Sequence, residues 1–213
     1  MYNNSISTPS MMEGISELHE ARLDQVLRTI KASGARRVLD LGCGSGQLLH
    51  RLLREQQFEK IVGLESSSVA LATARQLLAD KAVSRCARLT LVNGSYTDPQ
   101  PSLEGYDAAA MVETIEHIKP HLLSAAERVV FGEMRPRIVY LTTPNREYNP
   151  LYGLGPDEFR ERDHKFEWDR AKFAQWVQGV AGRNGYRVSL GGIGDEDPEL
   201  GPPTQTVYFV RLE

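Results

Sequence analysis

The chain has 213 residues, of which 41% are apolar and 25% charged, with a formal net charge of −3. These figures fit one globular domain and exclude a collagen-like or disordered chain, and Cys43 and Cys86 are too few for a disulfide framework. The mild acidity argues against a coat of nucleic acid along the protein but leaves room for one strand end at a local site.

The opening MYNNSISTPSMMEG reads as a polar tail over residues 1–14, without the basic-then-apolar pattern of a secretory signal. No apolar run approaches the roughly 18 residues of a membrane span. A cytoplasmic location with no membrane partner is therefore expected. From Ile15 to Lys31, Ile15, Leu18, Leu23, Val26, Leu27 and Ile30 recur mostly at helical spacing, and Gly34 marks the stop. A buried strand from Arg36 or Arg37 to Cys43 opens into glycines, and a helix over about Gln47–Gln56 follows. Lys60–Glu65 is the next strand. Ser66, Ser67 and Ser68 are cap candidates for a helix carrying Val69, Leu71, Ala74, Leu77 and Leu78. Arg88–Ser95 and Tyr106–Glu113 read as strands, and Pro120 suits the first turn of a helix reaching about Phe131. Arg137–Asn145 is a fifth strand. Asp169 caps a helix with Phe173, Trp176, Val177 and Val180, and two strands close the chain. Five β-then-α units followed by two strands predict a single α/β domain with a doubly wound sheet of seven strands. The sheet is mostly parallel, with an antiparallel strand near the C-terminus.

Ligands of such sheets bind outside the carboxyl ends of the strands. After the first strand comes Asp40-Leu41-Gly42-Cys43-Gly44-Ser45-Gly46, where glycines turn tightly and a helix N-terminus offers free amides. A dinucleotide fingerprint would carry a third glycine at the next position, which is Gln47. The string instead resembles motif I of class I S-adenosylmethionine-dependent methyltransferases. That resemblance implies Gly42 and Gly44 beside the cofactor and Asp40 on its ammonium. Glu65, ending the second strand, suits the two ribose hydroxyls, and Asn93-Gly94-Ser95, ending the third, falls where family members hold the adenine.

The fourth strand ends in Glu113-Thr114-Ile115-Glu116-His117. If the chain turns helical there, Glu113, Glu116 and His117 share one face. Mixed carboxylate and imidazole ligands suit Mn²⁺, Fe²⁺, Co²⁺ or Zn²⁺ better than Mg²⁺. The same residues also fit an ordinary solvated helix start. This local pattern resembles that of quinone-pathway O-methyltransferases too, so it does not fix a substrate.

Further on stand Thr142-Thr143-Pro144-Asn145, Glu147-Tyr148-Asn149-Pro150 and Arg160-Glu161-Arg162-Asp163-His164-Lys165-Phe166-Glu167-Trp168. These strings closely resemble the small-RNA 3′-terminal 2′-O-methyltransferase family, over about residues 20–212. Gly201-Pro202-Pro203-Thr204-Gln205 resembles the bacterial branch, which includes half of an RNA-repair enzyme. The resemblance implies S-adenosylmethionine as cofactor and a site of Glu113, Glu116, His117 and His164 with Mn²⁺ preferred. Residues 144–168 are then an inserted loop serving metal and RNA end, docked by Phe166 and Trp168. The substrate implied is RNA with a free 3′-terminal 2′,3′-diol rather than DNA, and an end-processing or ligase partner is implied as well.

Within that reading, His117 or Glu116 takes the hydroxyl proton, and Arg160 either meets the terminal phosphate or orders the loop. Arg22, Arg146, Arg162 and Lys165 join Arg160 as candidate phosphate contacts. His121 is set aside because Pro120 resets the chain after His117, and His19 and His50 receive no role. A small-molecule O-methyltransferase is the enzyme alternative. Against it stand the Asp163-His164 loop and Met134-Arg135-Pro136-Arg137, where many such enzymes carry a Pro-Gly-Gly turn. A methyltransferase-like subunit gripping an RNA end without turnover is the non-enzyme alternative.

Overall fold

The computed structural model describes residues 8–79 and 87–213, so Cys86 and the first seven residues of the expected tail lie outside it. From Thr8 onward the backbone is already helical, and α1 spans Thr8–Ala32. The expected 14-residue tail is thus corrected, because proline is tolerated in a first helical turn and the two methionines after Pro9 favour helix.

The strands are β1 (Arg37–Leu41), β2 (Lys60–Glu65), β3 (Leu89–Asn93), β4 (Ala108–Val112), β5 (Ile138–Pro144), β6 (Tyr186–Ile193) and β7 (Thr204–Arg211). They form one sheet in the order β3-β2-β1-β4-β5-β7-β6. β1 to β5 pair in parallel, and β7 lies antiparallel between β5 and β6. Sheet order reverses between β1 and β4, which makes their carboxyl ends the place to look for a ligand.

Side-chain alternation divides the interior into two cores. Ala108, Ala110, Ile138 and Tyr140 face one with Leu23, Val26 and Ile30 of α1. Leu49 and Leu52, on α2 (Gln47–Leu53), join that core. Ala109, Met111, Val139 and Leu141 face the other, packed against Phe131 and against Phe173, Val177 and Val180 of α5 (Arg170–Asn184). No described helix is long and apolar enough to cross a membrane.

Several local expectations need correction. α3 (Ser68–Leu77) is capped by Ser67, which accepts a hydrogen bond from the Ala70 amide, but Val69 and Leu77 are 76% and 42% exposed. Leu71, Ala74 and Leu78, at spacings of three and four, form the buried face instead. β3 is followed by a single 3₁₀ turn at Pro101–Leu103 rather than a full helix, so the third β-then-α unit is incomplete. Pro120 opens a 3₁₀ turn leading into the short α4 (Leu123–Glu127). A π-helical turn then carries the chain from Arg128 to Met134, ended by Arg135 at φ +46°.

Phe209 on β7 is fully buried, 4.7 Å from the Phe131 ring and 6.2 Å from Tyr186. Its truncation leaves a cavity between β7 and the π-helical turn. Phe209→Ala is expected to cost about 3–5 kcal/mol in chemical denaturation, and a loss below 1 kcal/mol would contradict this packing.

Candidate active site

The loop after β1 is shaped by what it must pass. Gly42 has φ +79°, and a Cβ there would stand 2.1 Å from Thr114 Oγ1. Only glycine lets this loop clear the end of β4. The Gly42 and Cys43 amides donate to the Leu64 carbonyl, and the Gly44 amide donates to Glu65 at 3.0 Å. A cavity of about 390 Å³ opens beside them, lined by Gly42, Gly44, Glu65, Gly94 and Ser95 and, across from these, Glu113 and His117. Of the expected cofactor positions, Asp40 and Asn93 do not line it.

Asp40 is buried, and its Oδ2 has no hydrogen-bond partner among the described residues. Burial, reinforced by the Glu65 carboxylate, pushes its pKa up to about 7. An orphaned buried acceptor next to the glycine loop calls for a cationic donor, which fits the amino group of an S-adenosylmethionine-like ligand.

The expected helical face at 113–117 does not form. Glu113 sits at φ +47°, and only Ile115–His117 make a 3₁₀ turn. The chain turns left-handed at Glu113 because its amide donates to both the carbonyl and the hydroxyl oxygen of Thr142 on β5. The Glu113 carboxylate accepts from the Thr142 hydroxyl at 2.9 Å and pairs with Arg22 at 3.2 Å.

Glu116, His117 and His164 do converge, with ligand atoms all within 4.8 Å of one another. Glu116 is fully buried. One oxygen accepts from Thr143 at 2.9 Å, and the other has no partner among the described residues. Burial, with Glu113 nearby, raises its pKa well above the carboxylate range, while burial lowers that of His117. Each imidazole has its Nδ1 against a carboxylate, His117 on Asp163 at 3.0 Å and His164 on Glu167 at 2.6 Å. The Lys165 amide donates to the Glu116 carbonyl at 2.7 Å and clips the loop to the 3₁₀ turn. Two imidazoles and a carboxylate with an unsatisfied oxygen are a donor set that fits a divalent cation. Glu113 lines the same space but stands outside the tight group.

Arg160 is bonded into the loop at several points. Its guanidinium donates to Asn149, to the Pro203 carbonyl at 2.7 Å and to the Asn145 carbonyl, and it lies over the Tyr152 ring. Arg22 is committed to Thr204 and Glu113, and Arg146 to the Pro156 carbonyl. Arg162 and Lys165 are exposed and make no side-chain hydrogen bond or ion pair among the described residues. Phe166 and Trp168 stack at 4.5 Å in the core, as anchors should. His121 is exposed and outside the cluster, and His19 bonds to Gln47.

The sequence reading missed three partners: Thr143 on Glu116, Asp163 on His117 and Glu167 on His164. A carboxylate three residues after a histidine was a visible signal only for the last pair.

This sheet order, with a glycine loop after β1 and an acid closing β2, defines a class I methyltransferase. A family model described as a methyltransferase domain matches residues 39–131. The small RNA 2′-O-methyltransferase of Gallus gallus is 35% identical over 203 residues, covering 91% of this chain and 54% of that protein. That of Arabidopsis thaliana is 30% identical over 212 residues, covering 91% and 22%. The crystal structure of the methyltransferase domain of a bacterial Hen1 superposes with a TM-score of 0.81 at 38% identity, covering 91% of this chain and 99% of that one. The chain belongs to the small RNA 2′-O-methyltransferase family and corresponds to its methyltransferase domain. It spans about half the length of the first curated relatives it matches.

Folded Asp40 titrates near 7, against roughly 4 in an unfolded chain. The folded state therefore holds the extra proton between these values, and the Asp40 contribution to stability is lost as pH rises from about 4 through about 7. Without ligand, Asp40→Asn is expected to be more stable than the parent at pH 8, by on the order of a few kcal/mol, with the gap closing toward pH 4. Parallel stability curves for the two proteins across that range would contradict the assignment.

Proposed function

We propose that this domain transfers a methyl group from S-adenosylmethionine to the 2′-hydroxyl of the 3′-terminal nucleotide of RNA, with a divalent cation, Mn²⁺ preferred, in attendance. The observation that carries the reading is the meeting of two cavities. The first is the one lined by the glycine loop and Glu65. The second, about 460 Å³, lies between α1 and the 144–168 loop, with Leu18, Tyr152, Leu154 and Arg160 in its walls. Glu113, His117 and Asp163 line both. A donor in the first and an acceptor in the second thus face each other across the acidic and imidazole groups.

When bound, S-adenosylmethionine supplies an electrophilic methyl group, and a divalent cation supplies Lewis acidity that eases ionisation of a hydroxyl. The chain's own residues supply position and charge. Glu65 and Gly44 frame the donor, and Asp40 offers a carboxylate to its amino group. Glu116, His117 and His164 would hold the cation, with Glu113 the fourth ligand if it leaves Arg22. His117, which lines both cavities, or Glu116 would receive the acceptor's proton. Transfer of a methyl group in line asks chiefly for alignment, which two facing cavities provide. Arg162 and Lys165 remain for phosphates, and backbone contacts of that kind read no sequence. An RNA end-processing or ligase partner belongs to this proposal as well.

The test is methyl transfer to a short RNA in Mn²⁺, comparing 3′-hydroxyl, 3′-phosphate and terminal 2′-deoxy ends. Transfer only to the 3′-hydroxyl ribose end is expected, with acquired periodate resistance and loss in EDTA. Cofactor binding without transfer to any RNA would overturn the RNA-end reading, and catechol-like acceptors would then be tried.

A further inference from the structure

The 144–168 loop contains a buried polar circuit that no packing requirement explains. Glu167 has no exposed side-chain surface. One oxygen accepts from His164 Nδ1 at 2.6 Å and from the Arg160 amide at 2.8 Å, and the other accepts from Asn149 Nδ2 at 2.5 Å. Asn149 in turn accepts from Arg160 Nε at 2.7 Å, which closes the ring. The other two partners of Glu167 are both donors, so the carboxyl is placed to accept, and His164 Nδ1 to donate. In the neutral ring Nε2 then carries the lone pair, held beside Glu116 and His117.

His117 has the same kind of partner with a different degree of constraint. Asp163 is 71% exposed on its side chain, and its 3.0 Å contact with His117 is open to water. A water-exposed pair of this kind contributes little.

We infer that Glu167 is the positioning residue of the cluster, fixing His164 in the tautomer and orientation that present Nε2 to a divalent cation, while Asp163 plays a weaker version of the same part for His117. The inference rests on the metal site of the proposed function. Carboxylates behind ligating histidines set ligand orientation and basicity, and losing one typically weakens metal affinity about 10–100-fold. Asn149 and Arg160 act one step further back by holding Glu167.

The experiment is calorimetric titration of Mn²⁺ into chelator-stripped protein, comparing the parent with Glu167→Gln and Asp163→Asn. Circular dichroism and binding of S-adenosylhomocysteine, which needs no cation, check that the fold is kept. Glu167→Gln is expected to weaken Mn²⁺ binding about 10–100-fold with the nucleoside ligand bound as before, and Asp163→Asn to weaken it distinctly less. A Glu167→Gln protein that melts lower but binds Mn²⁺ like the parent would show a merely structural latch and overturn the inference. Failure of the parent itself to bind Mn²⁺ would overturn the metal site and the inference with it. Should Glu167→Gln fail to fold, ¹⁵N chemical shifts of His164 in the metal-free parent decide the matter. Hydrogen on Nδ1 supports the inference, and hydrogen on Nε2 overturns it.

Discussion

A fully buried carboxylate with one unsatisfied oxygen is costly to maintain, and Glu116 is such a group. Burial and the neighbouring Glu113 both penalise its charge, and a single hydroxyl, from Thr143, supports it. Much of the surrounding structure is arranged to keep it there. Arg22 reaches across from α1 to take up the charge of Glu113, which would otherwise add to the repulsion. The Lys165 amide clips the long loop to the Glu116 backbone. Protonation of Glu116 relieves that tension, and a cation among Glu116, His117 and His164 would relieve it too.

The loop that completes this group is long and irregular, yet it is secured at both ends. Asn145 pairs with Trp168 in an isolated parallel bridge, and the Asn145 side chain donates to the Leu200 and Pro202 carbonyls. Gln205 donates to the Pro144 and Trp168 carbonyls, so β7 holds both ends of the loop at once. Arg160 then fills the middle with bonds to Asn145, Asn149 and Pro203. A backbone this irregular stays buried only because its polar groups are matched one by one. That accounting explains why Asn145 and Gln205 are buried.

The sequence carried the periodic part of this design. Lys60–Glu65 is a strand with the bounds its pattern suggested, and Ser67 and Asp169 cap the helices they precede. Local chemistry was enough there, since a cap needs only a side chain within three residues of its amide. The grouping of Glu116, His117 and His164 was also legible, through motif strings rather than spacing. What stayed hidden was set by distant neighbours. Nothing near Glu113 announces a left-handed turn, because Thr142 on the next strand imposes it. The π-helical turn at Arg128–Met134 conceals itself in an ordinary helical pattern. Arg160 and Arg22 read as candidate phosphate contacts, and their acceptors come from distant segments, the Pro203 carbonyl for one and Thr204 and Glu113 for the other.

The reversed strand β7 has a further consequence for how the domain is wired. Because it runs against its neighbours, it starts beside the loop it secures and finishes at the opposite rim, where Arg211 meets Arg137. α1 runs from the same side to the same rim, with Leu18 and Arg22 at the acceptor cavity and Ser33 accepting from Arg137. The N-terminal half of α1 and the start of β7 therefore share the rim where the cavities open, and the C-terminal ends of both lie at the opposite rim.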